Sequence, residues 1–292
     1  MKPCILYEKV EGKKDLVRCL ACAHKCLIAD GKTGICGVRK NINGKLMLLV
    51  YGRVVSMNVD PIEKKPLYHF LPKSKAFSIG TVGCNFKCDF CQNYDISQIS
   101  KQVSKNSKIF GQEVSCKKIV DIALESGCKS IAYTYNEPII AIEFYKEVMK
   151  LAKKKGLKNI MVSNGYWSKE SFEFIEKYVD AVNIDLKGSD EFYKKLCGGK
   201  LKPVLDTIKR CVDSGIHVEI TTLLIPDEND SKEELEEIAK FIASINKNII
   251  WHISRFFPMY KMLNKEITGR ESLEKAYKTG KKYLKNVYFG NV

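Results

Sequence analysis

The sequence predicts an α/β protein: a partial (βα)6 TIM-type barrel over residues 73–292, preceded by a small Cys-rich metal-binding β module over residues 1–72. Three observations predict it. From about residue 76, short β-branched runs alternate with amphipathic, charge-rich stretches of helical period. No Gly-x-Gly-x-x-Gly turn accompanies these repeats, which argues against a dinucleotide-binding sheet. Twelve cysteines include two clusters of different spacing, at 19–36 and 84–91, which suggests two different jobs.

Taken in order, residues 38–51 read as a hairpin turning at Asn43-Gly44, a type I′ signal, and 54–59 as a third strand of the same module. The barrel strands read 76–82, 130–134, 159–163, 181–185, 217–224 and 249–256, each an apolar run suited to a sheet covered on both faces. Helices fall between them. Ser115 caps the one to Ser126, Pro138 opens the one to Lys155, Ser168 caps the next, and Ser231 with Glu234 forms a capping box before the fifth.

Composition narrows the function classes. The formal charge is +15, but 43 of the 49 basic residues are Lys and six are Arg, the residue that planar phosphate recognition favours. No aromatic-basic stripe accompanies them, so a zinc-stabilised nucleic-acid-binding protein is the weaker alternative. The longest apolar run, 216–226, carries His217 and Glu219 and falls short of the roughly 20 residues of a membrane helix. With Glu8 early and no apolar leader, a cytoplasmic protein is expected, in which thiols stay reduced unless they hold metal or do chemistry.

Cys84, Cys88 and Cys91 lie directly after the first barrel strand, with C-x3-C-x2-C spacing. One loop so spaced can wrap an iron–sulfur cube, yet it supplies three thiolates where an electron-transfer cluster takes four. One iron is left open to substrate, as a catalytic zinc keeps a vacant position. The alternative is a zinc site that borrows a ligand from elsewhere. Location favours the cluster, because barrel enzymes assemble their chemistry at the C-terminal ends of the strands. Cys19, Cys22, Cys26 and Cys36 form a four-thiol set of knuckle spacing, with His24 as a substitute ligand; zinc is favoured, and an auxiliary iron–sulfur cluster is the alternative. His217 and Glu219, with His252 and Arg255, are polar residues inside apolar runs, candidates either for cofactor or substrate contact or for buried hydrogen bonding.

Cys84, Cys88, Phe90 and Cys91 match the signature C-x3-C-x-(aromatic)-C, and here the sequence resembles the radical S-adenosylmethionine superfamily. The resemblance implies a [4Fe-4S] cluster whose open iron chelates S-adenosylmethionine, and a 5′-deoxyadenosyl radical that abstracts hydrogen. It places Phe90 near the adenine. Tyr133-Thr134-Tyr135-Asn136-Glu137-Pro138 stands where the superfamily often has Gly-Gly-Glu-Pro, so Asn136 and Glu137 inherit contacts to the methionine amino group. Ser163-Asn164-Gly165 and Asp185-Leu186-Lys187 resemble strand-end motifs of glycyl-radical activating enzymes. They imply that Ser163, Asn164, Asp185 and Lys187 bind the cofactor, Asp185 and Lys187 at its polar end or ribose. Each alone also reads as a turn or a surface pair. The whole chain resembles the radical enzyme of the AmmeMemoRadiSam system, related to pyruvate formate-lyase activating enzymes, through Arg18-Cys19-x2-Cys22-x-His24-x-Cys26, Gly34-x-Cys36 and His252-x-Ser254-Arg255-Phe256-x-Pro258. That resemblance implies an external one-electron reductant of flavodoxin or ferredoxin type and a protein partner or substrate such as Memo-like or AMMECR-like proteins. It leaves open whether the reaction activates a glycyl-radical enzyme or modifies another molecule.

Overall fold

The computed structural model describes residues 1–13, 15–98 and 110–292. Seven strands stand side by side in chain order, each parallel to the next: β1 (Lys75–Gly80), β2 (Ser130–Tyr133), β3 (Lys158–Ser163), β4 (Ala181–Asp185), β5 (His217–Leu224), β6 (Ile250–Arg255) and β7 (Val287–Gly290). Helices α1 (Cys116–Glu125), α2 (Ile142–Lys154), α3 (Lys169–Ile175), α4 (Leu201–Asp213), α5 (Lys232–Ile245) and α6 (Arg270–Lys281) fill the six crossovers. Strand order never reverses, so the sheet has no switch point of the doubly wound kind and is a partial barrel. Among the described residues no helix is long and apolar enough to cross a membrane.

Local chemistry accounts for the helix starts. Ser115 and Ser168 accept the backbone N–H groups of Lys118 and Ser171 at 3.1 and 3.0 Å. Pro138 opens a 3-10 turn, Pro138–Ala141, that leads into α2. Ser231 caps α5 through the N–H of Glu234, but the expected box is half made, because the Glu234 carboxylate accepts the N–H of Ser189 at 2.5 Å instead.

Two strands differ from expectation. The segment read as the third strand of the N-terminal module is Ser56–Pro61, and it pairs antiparallel with β1, adding an eighth strand to the barrel sheet. β7 follows α6 at the other edge; it is four residues long, and sequence reading did not find it. The hairpin itself pairs Arg39–Ile42 with Lys45–Leu48 across Asn43 and Gly44, both at positive φ (52° and 75°), as a type I′ turn requires. A second small sheet holds Tyr7–Lys9, Leu16–Cys19 and Leu27–Ala29. The buried guanidinium of Arg39 fastens this region to α2, donating to the Ile140 carbonyl and to both carboxylate oxygens of Glu143.

Candidate functional site

A cavity of about 540 Å3 opens where the parallel strands end. Its wall includes Cys84, Cys88, Phe90 and Cys91 from the loop after β1, Asn136 and Glu137 after β2, Ser163 and Asn164 at the end of β3, and Asp185 and Lys187 around the end of β4. Ten of the residues singled out from sequence thus join one surface, although they come from four separate stretches of chain.

The cysteine loop is held from three sides. Lys87 and Asp89 donate their backbone N–H groups to the carbonyls of Cys197 and Leu196 at 2.9 and 3.1 Å, so Cys88 is clamped against the end of the turn after β4. Behind it Phe86 is buried against Gly199, where an added Cβ would stand 2.4 Å from the ring. Asn136 ties the loop to β2: its Nδ2 donates to the Thr81 hydroxyl and the Gly83 carbonyl, and its Oδ1 accepts the Thr81 N–H. Expected as a cofactor contact, Asn136 lines the cavity but commits its amide to shaping the loop.

Glu137 is buried, and its carboxylate accepts the N–H of Ile139 and Asn164 and the Ser163 hydroxyl at 2.8–3.0 Å. Burial outweighs these bonds and pushes its pKa up to about 7. Lys187 bonds Asp185 at 2.8 Å, with its ammonium 5.7 Å from the centre of the Phe90 ring. Burial works against that ammonium, but the neighbouring Asp185 charge helps hold it protonated well above the usual lysine range.

Two expected site residues lie elsewhere. His217 opens β5 at the far end from the cavity, and its Nε2 bonds Glu219 at 2.9 Å. Glu219 is fully buried and also accepts His252 Nε2 and the N–H groups of Tyr68 and His69, so three of the chain's four histidines gather around it or on the segment it holds. Burial alone would raise its pKa; these bonds prevail and lower it to about 2. Arg255 points out of the barrel, donating to the Thr268 carbonyl and lying over Phe257, because side chains alternate along β6 and it is Ser254 that faces the cavity. Conversely, sequence reading missed Lys64, Lys65 and Pro66, which join the wall from the segment before β1, and Tyr135, whose hydroxyl bonds Asp60. Tyr135 sits at φ 70°, a left-handed backbone that its replacement of a glycine in the motif could have signalled.

In the N-terminal region Cys19, Cys22 and Cys36 are buried and Cys26 half-buried. The backbone of His24, Ile35 and Val38 hydrogen-bonds the sulfurs of Cys22, Cys26 and Cys36 respectively. Burial pushes those three thiols up, Cys36 to about 11, so a cation is what would ionise them. Among the described residues no three His, Cys, Asp or Glu side chains converge as ligands of a single metal ion.

The sequence profile described as the Radical SAM superfamily matches residues 78–242, more than half of the chain. The chain belongs to the radical SAM superfamily. The uncharacterized protein MJ0808 of Methanocaldococcus jannaschii is 41% identical over 294 residues, covering 100% of this chain and 86% of its own length. The pyruvate formate-lyase-activating enzyme of Clostridium pasteurianum is 26% identical over 166 residues, 56% of this chain and 67% of that enzyme. A radical SAM methyltransferase from Sphaerobacter thermophilus shares the fold, with a TM-score of 0.56 at 14% identity over 76% of this chain and 67% of its own. This radical SAM protein is therefore an enzyme, homologous to pyruvate formate-lyase activating enzymes.

The superfamily implies a [4Fe-4S] cluster and S-adenosylmethionine, and the activases within it need an external reductant. The residues after β1 fit the cluster chemically. Three soft thiols lie on one short loop at the mouth of the cavity, the donor set that such a cluster takes.

Proposed function

We propose that Cys84, Cys88 and Cys91 hold the [4Fe-4S] cluster and that the cavity binds S-adenosylmethionine beside a substrate that gives up a hydrogen atom. When bound, the cluster and cofactor supply reductive cleavage of the sulfonium and a 5′-deoxyadenosyl radical. The observation that carries this reading is the meeting of the cysteine loop with Glu137, Ser163, Asn164, Asp185 and Lys187 around one cavity. Methionine is a zwitterion, and the Asp185–Lys187 pair offers one charge of each sign in a partly dry cleft. Lys187 faces the carboxylate; Asp185 and Glu137 face the amino group; Ser163 and Asn164 hold the polar end, and Phe90 packs on the adenine. His217 and Arg255 have no part in this assignment.

The N-terminal motifs support a place in the AmmeMemoRadiSam system type, in the cytoplasm, with a flavodoxin- or ferredoxin-type electron donor and a Memo-like or AMMECR-like protein as partner or substrate. Cys19, Cys22, Cys26 and Cys36 hold zinc in this reading, with an auxiliary iron–sulfur cluster as the alternative, and either requires the thiol side chains to draw together from where they stand; the backbone bonds to three of these sulfurs support metal ligation. A second reading, activation of a glycyl-radical enzyme, is favoured by the similarity to the Clostridium pasteurianum activating enzyme. Deuterium transfer from a labelled candidate into 5′-deoxyadenosine separates the two.

Metal and sulfide analysis of anaerobic protein tests the ligand assignment. Cys88→Ala should lose about four irons relative to wild type, and Cys19→Ala should lose the N-terminal metal alone. Full retention of iron and sulfide in Cys88→Ala would overturn the reading.

A further inference from the structure

One side of the cavity has no part in holding the cofactor as proposed above. Lys64, Lys65 and Pro66 from the segment before β1, Tyr135 after β2, Thr221 on β5 and Ser254 on β6 build it, and among these described residues there are two lysines and no carboxylate. The carboxylate beside them is the buried Asp60, which accepts Lys64 Nζ at 2.9 Å, Lys65 Nζ at 2.7 Å and the Tyr135 hydroxyl at 2.8 Å. Burial works against the Asp60 carboxylate, but the bonds from Lys65, Lys64 and Tyr135 hold it ionised well below the usual carboxylate range. Two ammoniums on one carboxylate leave one positive charge in excess on this wall.

The two lysines differ in setting. Lys65 is 2% exposed, and among the described residues Asp60 is the one hydrogen-bond acceptor for an ammonium that carries three N–H donors. Burial lowers its pKa in spite of the Asp60 charge, so a further anion beside it would be stabilising. Lys64 bonds the other Asp60 oxygen with a side chain 65% exposed, which leaves its remaining donors open to a ligand. Tyr135 joins this pair to the chemistry. It stands at φ 70°, a costly backbone for a bulky residue and of the kind stored at functional sites. Its ring centre lies 4.7 Å from Lys65 Nζ, and its carbonyl accepts Asn93 Nδ2 at 2.8 Å, two residues beyond Cys91. A single residue thus links the lysine pair to the cysteine loop.

We infer that Lys64 and Lys65, presented by Asp60 and Tyr135, bind an anionic group, a carboxylate or a phosphate, of the substrate that gives up its hydrogen atom. This rests on the cofactor placement proposed above, which leaves this wall to the substrate. Lysines act as point charges without the planar fork of arginine, which suits either anion. A sulfonium cofactor in the same cavity adds to the positive potential that such a substrate meets.

The test uses the anaerobically reconstituted full chain at low ionic strength. Inorganic phosphate and labelled malonate are separate probes, followed by phosphorus and carbon NMR line broadening, and S-adenosylmethionine binding is measured by titration calorimetry on the same samples. Lys64 is the position to change, because its exposed side chain can be replaced without disturbing the core. Lys64→Gln should weaken the tighter-binding probe about tenfold while S-adenosylmethionine is still bound, and Lys64→Arg should keep the probe. Lys117→Gln, which removes an exposed charge on α1, should leave both unchanged, so that general attraction to a chain of +15 charge is accounted for. Tighter binding of phosphate assigns a phosphoryl substrate, and tighter binding of malonate a carboxylate one. Neither probe bound by wild type, or equal losses in Lys64→Gln and Lys117→Gln, would overturn the inference. A wild-type chain with iron and sulfide in place that binds no S-adenosylmethionine would instead remove the cofactor placement, and with it the substrate role of this wall.

Discussion

At Glu137 burial and hydrogen bonding pull in opposite directions, and burial prevails, leaving a carboxyl that titrates at about 7 instead of 4.5. The folded state therefore keeps a proton that the unfolded chain has released, and stability falls as pH rises from about 4.5 through about 7. Glu137→Gln carries no such proton. Relative to its deficit or surplus at pH 4.5, it should gain on the order of 2–3 kcal/mol over wild type by pH 8 in urea unfolding. An ammonium in the cavity favours the ionised form, so S-adenosylmethionine should bind wild type more tightly at pH 8 than at pH 6, and titration calorimetry should find that difference reduced in Glu137→Gln. Gly199 is a second point of single-residue control. Phe86 leaves no space for a Cβ there, so Gly199→Ala should cost about 1–3 kcal/mol in chemical denaturation and loosen the cysteine loop.

At the scale of elements, the segment carrying Lys64, Lys65 and Pro66 to the cavity is fixed from below by Glu219. The carboxylate takes the N–H groups of Tyr68 and His69, and Asn183 donates to the Pro66 carbonyl at 2.9 Å. Removing the carboxylate leaves two half-buried backbone donors, the half-buried His217 and the buried His252 without their acceptor, so Glu219→Ala should destabilise the fold by about 2–4 kcal/mol. Because the Glu219 pKa is lowered, its contribution is present above about 4.5 and is lost as pH falls toward 2, so the gap between wild type and Glu219→Gln should narrow on acidification; unfolding curves at pH 3 and pH 7 check this. This element also shows where sequence reading stops. β4 and β5 were legible to the residue because an apolar run between polar turns has one reading in a parallel sheet. His217 was misplaced because period-2 logic gives the face of a strand and says nothing of its height along the barrel. Arg255 failed through the alternation itself, which puts Ser254 inside. Lys64–Pro66 carried no motif, and their approach to the cavity depends on Ser56–Pro61 joining β1, a pairing too distant in kind from the hairpin to be read from residues 54–59 alone.

At the scale of the whole molecule, the N-terminal region and the barrel share one buried seam. Arg39 and Glu143 are 1% and 5% exposed, and Glu143 also accepts the N–H groups of Ile5 and Leu6. Arg39→Ala would strand that carboxylate and should cost about 3–5 kcal/mol, whereas Arg39→Met with Glu143→Leu should recover most of it; both are read by thermal or urea unfolding. The same seam brings the two cysteine groups, legible in sequence as separate spacings, to opposite sides of His24 and Asn85, a proximity that no spacing along the chain encodes. In the proposed function, the cavity between the cysteine loop and Lys187 is where S-adenosylmethionine is reductively cleaved. The most direct measurement is the yield of 5′-deoxyadenosine from anaerobically reconstituted, dithionite-reduced protein given S-adenosylmethionine. Wild type should form it, and Cys88→Ala should form none above the protein-free background. Equal yields from the two proteins, or none from a wild-type chain with its iron and sulfide in place, would contradict the account.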